Sequence, residues 1–367
     1  MSKAGAAARR GRWRPLTTLA ATAGLLAAGF RRERYASPPP PDGEGTARAA
    51  RSDGARGRQA DAPSEIPARG WRDVLVRVWH RISEDRLLAI AAGVTFYALL
   101  AIVPTLAALV SVYGFFADPP TIERHLAQLE GLVPSEGLQI VRDQLQRLAA
   151  EDRASLGLRF AFSLALSLWS ANAGLKAVFD ALNVAYDESE KRGFFRLNAI
   201  SLLFTAGVIA FLLLAIAAIV VVPAFLQLVP LPGGSGLVMA LARWPLLLVV
   251  VALLLSLMYR FGPSRDAPRW QWVSWGSAFA AFAWLGVSAL FSWYAANFGS
   301  YNKTYGSLGA VIGFMTWIWL SAAVILLGAL INAEAEHQTA RDSTQGPSQP
   351  MGQRGAVKAD TVAPPSE

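Results

Sequence analysis

The 367 residues are 53% apolar and only 16% charged, with a mean hydropathy of +0.34, and the apolar residues fall in long uncharged runs. That pattern excludes a pair of soluble domains and points to a polytopic membrane protein. The absence of cysteine excludes disulfides, thiolate metal sites and cysteine nucleophiles, and three scattered histidines spell no zinc or iron cluster, so no metal and no cofactor is expected.

The net charge of +8 sits wholly in residues 1–86, which hold 17 Lys+Arg against 9 Asp+Glu; the remainder holds 17 of each. Beside a membrane domain, such an arm reads as topogenic and lipid-attracting. With no recognition motif, no nucleic-acid partner is expected.

Residues 1–70, rich in Arg, Gly, Ala and Pro, read as a disordered basic cytoplasmic arm. Within it, residues 15–30 look like a signal-peptide core without a cleavage site, and read as an interfacial segment or a misread gene start. From Trp71 to Arg86, Trp71, Leu75, Val78 and Ile82 share one face opposite arginines, which predicts an amphipathic helix at the membrane surface.

Six spans follow, at about 87–116, 156–185, 199–222, 240–260, 270–298 and 305–332. Pro104 lies inside the first and predicts a kink. Between the first two spans, residues 117–155 carry two apolar stripes, which predict amphipathic helices in the first extracytoplasmic loop, either a lid or packing. Trp272 and Trp293 lie about 31 Å apart along a helix, the spacing of two interfacial tryptophan belts. Gly306, Gly309 and Gly313 predict close helix packing in the sixth span. Residues 341–367 read as a disordered tail.

Orientation follows from the loops. Lys191, Arg192 and Arg196 follow the second span, and Arg260, Arg265 and Arg269 follow the fourth, so the positive-inside rule puts both termini in the cytoplasm.

The second span has an unusual polar load. Asn172, Lys176, Asp180 and Asn183 are spaced four, four and three apart, so they share one helix face. Charges at hydrocarbon depth require a partner, a protein interior or a watery cavity. Alternatively, Lys176 lies close enough to the far membrane edge to snorkel, and the pair is then an ordinary helix-end feature.

The runs GVTFYALLAIVPTL, WSANAGLKAVFDALNVAYDE and FSWYAANFGSYNKTYGSLGAVIGFMTWIWLSAAVILLGALINAEAEHQT resemble the YihY/BrkB family of bacterial inner-membrane proteins over about residues 71–340. The resemblance implies a six-helix fold in the cytoplasmic membrane. Family members have been linked to resistance to serum killing and to envelope lipids, with no settled biochemical activity. One departure is that Leu330 stands where the family usually has a glutamate; Glu334, one turn on, is either a substitute or an ordinary helix-end charge.

Two functions fit. In one, the chain is a transporter or flippase-like protein for an amphiphilic envelope component such as a lipid, with Asn172, Lys176, Asp180 and Asn183 receiving the headgroup and Tyr301 and Tyr305 at the outer mouth. In the other, it is a non-transporting scaffold for envelope machinery that recruits through the 117–155 loop and the basic arm. Membrane lipids are the expected partners, and glycine packing leaves homo-oligomerisation open. The family's former ribonuclease label finds no support, since that chemistry needs clustered His and Asp ligands that the sequence lacks.

Overall fold

A computed structural model describes residues 54–116, 142, 156–228, 235–298 and 307–365, and every described element is helical. A helix α1 (Ala68–Glu84) leads into six long helices, α2 (Leu87–Phe116), α3 (Leu156–Ala185), α4 (Phe194–Leu228), α5 (Ser235–Phe261), α6 (Trp270–Phe298) and α7 (Ser307–Glu336); a single turn, α8 (Val357–Asp360), follows. Stretches of four of these, Leu87–Leu109, Phe194–Leu213, Trp270–Tyr294 and Val311–Glu336, are long and apolar enough to cross a membrane. Helix bounds coincide with the expected ones for α2, α3 and α6. The 117–155 loop (except Arg142), Tyr301, Tyr305 and Gly306, and the arm up to residue 53, lie outside the described residues.

Hydropathy makes these segments helical, and burial then decides their neighbours. The central helix is α7, which packs against α1, α2, α3 and α6; α4 lies on α3 and α2, and α5 lies on α6. One apolar core joins Val74 and Val78 of α1, Leu87 and Val94 of α2, Leu182 of α3, Leu255 and Tyr259 of α5, Ala280 of α6, and Leu326 and Leu330 of α7. Leu330 is therefore an apolar core residue where the family resemblance implied a carboxylate.

Helix α2 is continuous through Pro104. Its neighbour Thr105 turns its hydroxyl back to the Ala101 carbonyl at 2.6 Å. A close glycine crossing is at Gly276 of α6 and Gly328 of α7, rather than at Gly313, where an added Cβ would meet only the Phe291 ring at an ordinary 3.8 Å. A Cβ on Gly276 would run into the Gly328 carbonyl, and one on Gly328 would lie 2.6 Å from Tyr259 Oη and 2.7 Å from Ala280 Cβ. Asn332 locks the crossing by accepting from the Gly276 N–H at 2.7 Å and donating to the Val273 carbonyl at 3.1 Å. Gly309 is helical.

Two expectations are corrected. Residues 341–365 do not behave as a loose tail, because their backbone is hydrogen-bonded to the bundle: Arg269 N–H donates to Ser343, Gln345 N–H to Ala267, and Ala363 N–H to His337. In the same way, residues 54–70 are part of the fold, with Ala340 N–H donating to the Arg58 carbonyl and Gln338 Nε2 to that of Arg56. Composition misses this because polar segments can be held by backbone and charge contacts without a large apolar core. On α1 the buried face runs through Val74 and Val78, whereas Leu75 and Trp79 are exposed. Arg77 and Arg81 then point inward.

They point at Glu334, which is 1% exposed. Arg77 Nε lies 2.7 Å from Glu334 Oε2, Lys358 Nζ 2.8 Å and Arg81 Nη1 3.2 Å from Oε1. Lys358 and Arg81 also pair with Asp187, just past the end of α3, at 2.8 and 2.5 Å. Asp187 takes a left-handed backbone, φ 56°, unusual for a residue with a side chain. This collar ties α1, α3, α7 and the C-terminal segment together at one end of the bundle. Partial burial opposes ionisation of Asp187, but the bonds from Lys358 and Arg81 outweigh it and hold its pKa below the ordinary value.

Three outcomes follow. Gly328→Val, forced against Tyr259 and Ala280, lowers stability by about 1–3 kcal/mol, whereas Gly286→Ala, with nothing within 4 Å of its added Cβ, leaves the melting temperature nearly unchanged. Glu334→Gln leaves Arg77 without its carboxylate and takes one of their carboxylates from Arg81 and Lys358, and costs about 3–5 kcal/mol, read as lost thermal stability of the detergent-purified protein. Because the folded pKa of Asp187 is depressed, its contribution is complete above about pH 4 and disappears as pH falls through the folded value. The gap in melting temperature between wild type and Asp187→Asn therefore narrows only in acid, and a gap unchanged down to pH 2.5 contradicts the assignment.

Candidate functional site

The polar stripe on α3 is placed but not gathered into one site. Asn172 is fully buried against α4, where Thr205 Oγ1 donates to its Oδ1 at 3.4 Å, and its Nδ2 has no partner. Asn183 is a staple: its Oδ1 accepts from the Ser264 N–H at 2.7 Å and its Nδ2 donates to Glu190 at 3.2 Å. Lys176 lies over the Trp169 ring, 5.3 Å from the centroid, and makes no ion pair with Asp180, which is exposed. None of the four lines a cavity described below.

A cavity lies between α4 and α5. Its volume is about 1040 Å³, at the top of the range of roughly 300–1,000 Å³ for ligand pockets. Aliphatic and aromatic side chains of α4 (Ile200, Leu203, Phe204, Phe211) face those of α5 (Val251, Leu254, Leu257), with Trp284 of α6 and Ile325 of α7 completing the wall. The gap exists because α4 is packed on α3 and α2 while α5 is packed on α6. Gly207 removes a side chain from the α4 wall, and an added Cβ there meets nothing within 4 Å.

One end of this groove is basic, lined by Lys191, Arg192, Arg196, Arg260 and Arg265. Three of the five are neutralised in place. Arg265 forms a buried two-pronged pair with Glu336 at 2.5 and 2.6 Å, over the Tyr186 ring. Arg192 pairs with Glu190 at 2.7 Å and donates to the Phe261 and Gly262 carbonyls, which bolts the α3–α4 connection to the end of α5. Burial works against the Glu190 carboxylate, but the Arg192 bonds prevail and bring its pKa down to about 2. Lys191 reaches Glu188 at 2.8 Å.

Arg196 and Arg260 differ: among the described residues no carboxylate pairs with either. Sequence reasoning used both arginines only as topology markers. The available signal was their position, each closing an apolar helix end beside the other's loop. The loop on which the scaffold reading rested lies outside the described residues, save Arg142. Among the described residues no three of His, Asp and Glu converge as metal ligands would.

The chain matches the Virulence factor BrkB family over residues 78–352. It is 29% identical to the protein named ribonuclease-like YfkH of Bacillus subtilis, over 66% of this chain and 88% of that one. It is also 29% identical to a UPF0761 membrane protein of Alkalilimnicola ehrlichii and 30% identical to one of Ralstonia nicotianae, over 75% and 69% of this chain. The chain spans 61% and 56% of the length of those two relatives. No solved structure matches it. The matched stretch contains α2 to α7 and both walls of the groove, and the chain belongs to the Virulence factor BrkB family.

Proposed function

We propose that the chain is a six-span inner-membrane protein, both termini cytoplasmic, that moves an amphiphilic envelope component such as a lipid through the groove between α4 and α5. The observation that carries this reading is the groove itself: apolar along its length, polar at one end, and bounded by two helices that face each other across a gap. That is the distribution an acyl chain and a headgroup require, since apolar surface leaves water favourably while charge stays at the wet end. The orientation is supported by the basic residues gathered at the groove's polar end, the side that the positive-inside rule keeps in the cytoplasm. Relative to the sequence-based expectation, the pathway moves from the α3 stripe to the α4–α5 groove. The same reading assigns no ribonuclease activity, despite the name carried by the Bacillus relative.

The test is transbilayer movement of a fluorescent phospholipid in vesicles reconstituted with the purified protein, read by chemical quenching of the outer leaflet. Gly207→Trp fills the groove from a position with free space around it and is expected to abolish movement while the protein stays folded. Lys176→Ala, altered outside the groove, is expected to retain most of it. Movement at the wild-type rate in folded Gly207→Trp protein sinks the proposal.

A further inference from the structure

We infer that the basic end of the groove is a binding site for the headgroup of a net-anionic phospholipid, with Arg260 and Arg196 as its charge-recognising residues. This rests on the groove reading above and goes beyond it by naming the class of lipid. Two independent observations carry it.

The first is charge accounting. Lys191, Arg192 and Arg265 each have a glutamate, so they offer an incoming anion little net charge. Arg260 is 5% exposed and has none. Its guanidinium lies against both the Phe261 and Trp270 rings, 5.4 and 4.4 Å from their centroids. Its two Nη atoms donate to the Pro268 carbonyl and to Gln345 Oε1, neither of which carries charge. A buried cation without a counter-ion is costly, and an anion arriving from outside would relieve that cost.

The second observation is an unused donor. Arg260 Nε is buried and has no acceptor, although buried guanidinium nitrogens ordinarily find one. Arg196, in the first turn of α4 on the other wall, is exposed and has no hydrogen-bond or ion-pair partner among the described residues. The carboxylate of Asp266 also lines this end but pairs with neither arginine. A phosphodiester, with several acceptor oxygens, suits two cations that line the same end of the groove, one from each wall. A lipid is favoured over a free anion because the walls beyond the arginines are apolar.

The experiment titrates the full-length, detergent-purified protein with phosphatidylglycerol or with phosphatidylcholine of the same acyl chains, and counts bound lipids by native mass spectrometry. Wild type is expected to prefer phosphatidylglycerol about tenfold, the worth of one charge-assisted contact. Arg196→Gln and Arg260→Gln each bring that preference close to parity, and Arg260→Lys retains most of it. Should Arg260→Gln fail to fold, Arg196→Gln, at an exposed and unbonded position, still decides the matter. Equal binding of both lipids by wild type, with both lost in Gly207→Trp, overturns the anion preference while leaving the groove in place. Lipid bound unchanged by Gly207→Trp means that the groove reading has failed instead. Displacement of phosphatidylglycerol by glycerol phosphate at equal concentration overturns the lipid assignment, because the acyl chains then add nothing.

Discussion

The fold depends on one buried carboxylate. Glu334, at the end of α7, is nearly without solvent contact, and an isolated charge there would cost more than the bundle could supply. It is tolerable only because Arg77 and Arg81 arrive from α1 and Lys358 from the C-terminal segment. Each cation brings its backbone with it. Arg77 and Arg81 seat α1 across the end of α7, and Lys358 draws in the C-terminal segment, itself 2% exposed despite its charge. Asp187 receives what is left of Arg81 and Lys358 and so fixes the end of α3. A single electrostatic requirement thereby organises one face of the bundle, as buried charge clusters can when every member is satisfied.

The groove mouth shows the opposite arrangement at short range. Where Arg265 meets Glu336 the pair is dry and two-pronged, and it holds the α5–α6 connection to α7. Arg192 and Glu190 perform the same office between α3, α4 and α5. Both of these arginines therefore come with a glutamate attached. Arg260, equally buried, comes with aromatic rings and neutral oxygens only. The difference separates charge used for architecture from charge left available at the groove.

Hydropathy made the six helices legible, because a helix that must hide its backbone in an apolar medium has to be long and uncharged. The ends of α2, α3 and α6 could be read to the residue. The polar collar could not. Glu334 looks like any helix-end acid until Arg77 and Arg81, more than 250 positions away, are folded beside it. The C-terminal segment has the composition of a loose tail, yet its order comes from hydrogen bonds to the α5–α6 connection and from Lys358, which no local propensity encodes. Gly276 and Gly328 were likewise invisible as a pair, since their contact belongs to the crossing of two helices; the glycine-rich run at 306–313 had the stronger local signal. On α3 the helical spacing of the polar stripe was read correctly, but sharing a face did not give the four residues a common surrounding: Asn172 turned to α4, Asn183 to the loops, and Lys176 to Trp169.

The collar and the number of helices constrain each other. Residues at the start of α2, the end of α3, the start of α4, the end of α5, the start of α6 and the end of α7 all meet at one end of the bundle, as the bonds from Arg81 to Asp187, Lys191 to Ser264, and Arg265 to Glu336 require. Only an even number of helices running the length of the bundle brings α1 and the C-terminal segment to that same end. An odd number would leave Arg77 and Arg81 on the far side from Glu334, and the buried carboxylate would lose two cations it needs. The family match stops at residue 352, short of Lys358, so this last cation belongs to a part of the chain outside the matched stretch. The same return of the chain places Gly355 at the groove's basic end beside Asp266. There the backbone, at φ 68°, adopts a conformation that favours glycine, and a side chain would collide with the Asp266 carboxylate. Besides its backbone hydrogen bonds, the C-terminal segment is thus held by charge at Glu334 and by close approach at Asp266, and the second of these lies on the rim of the groove.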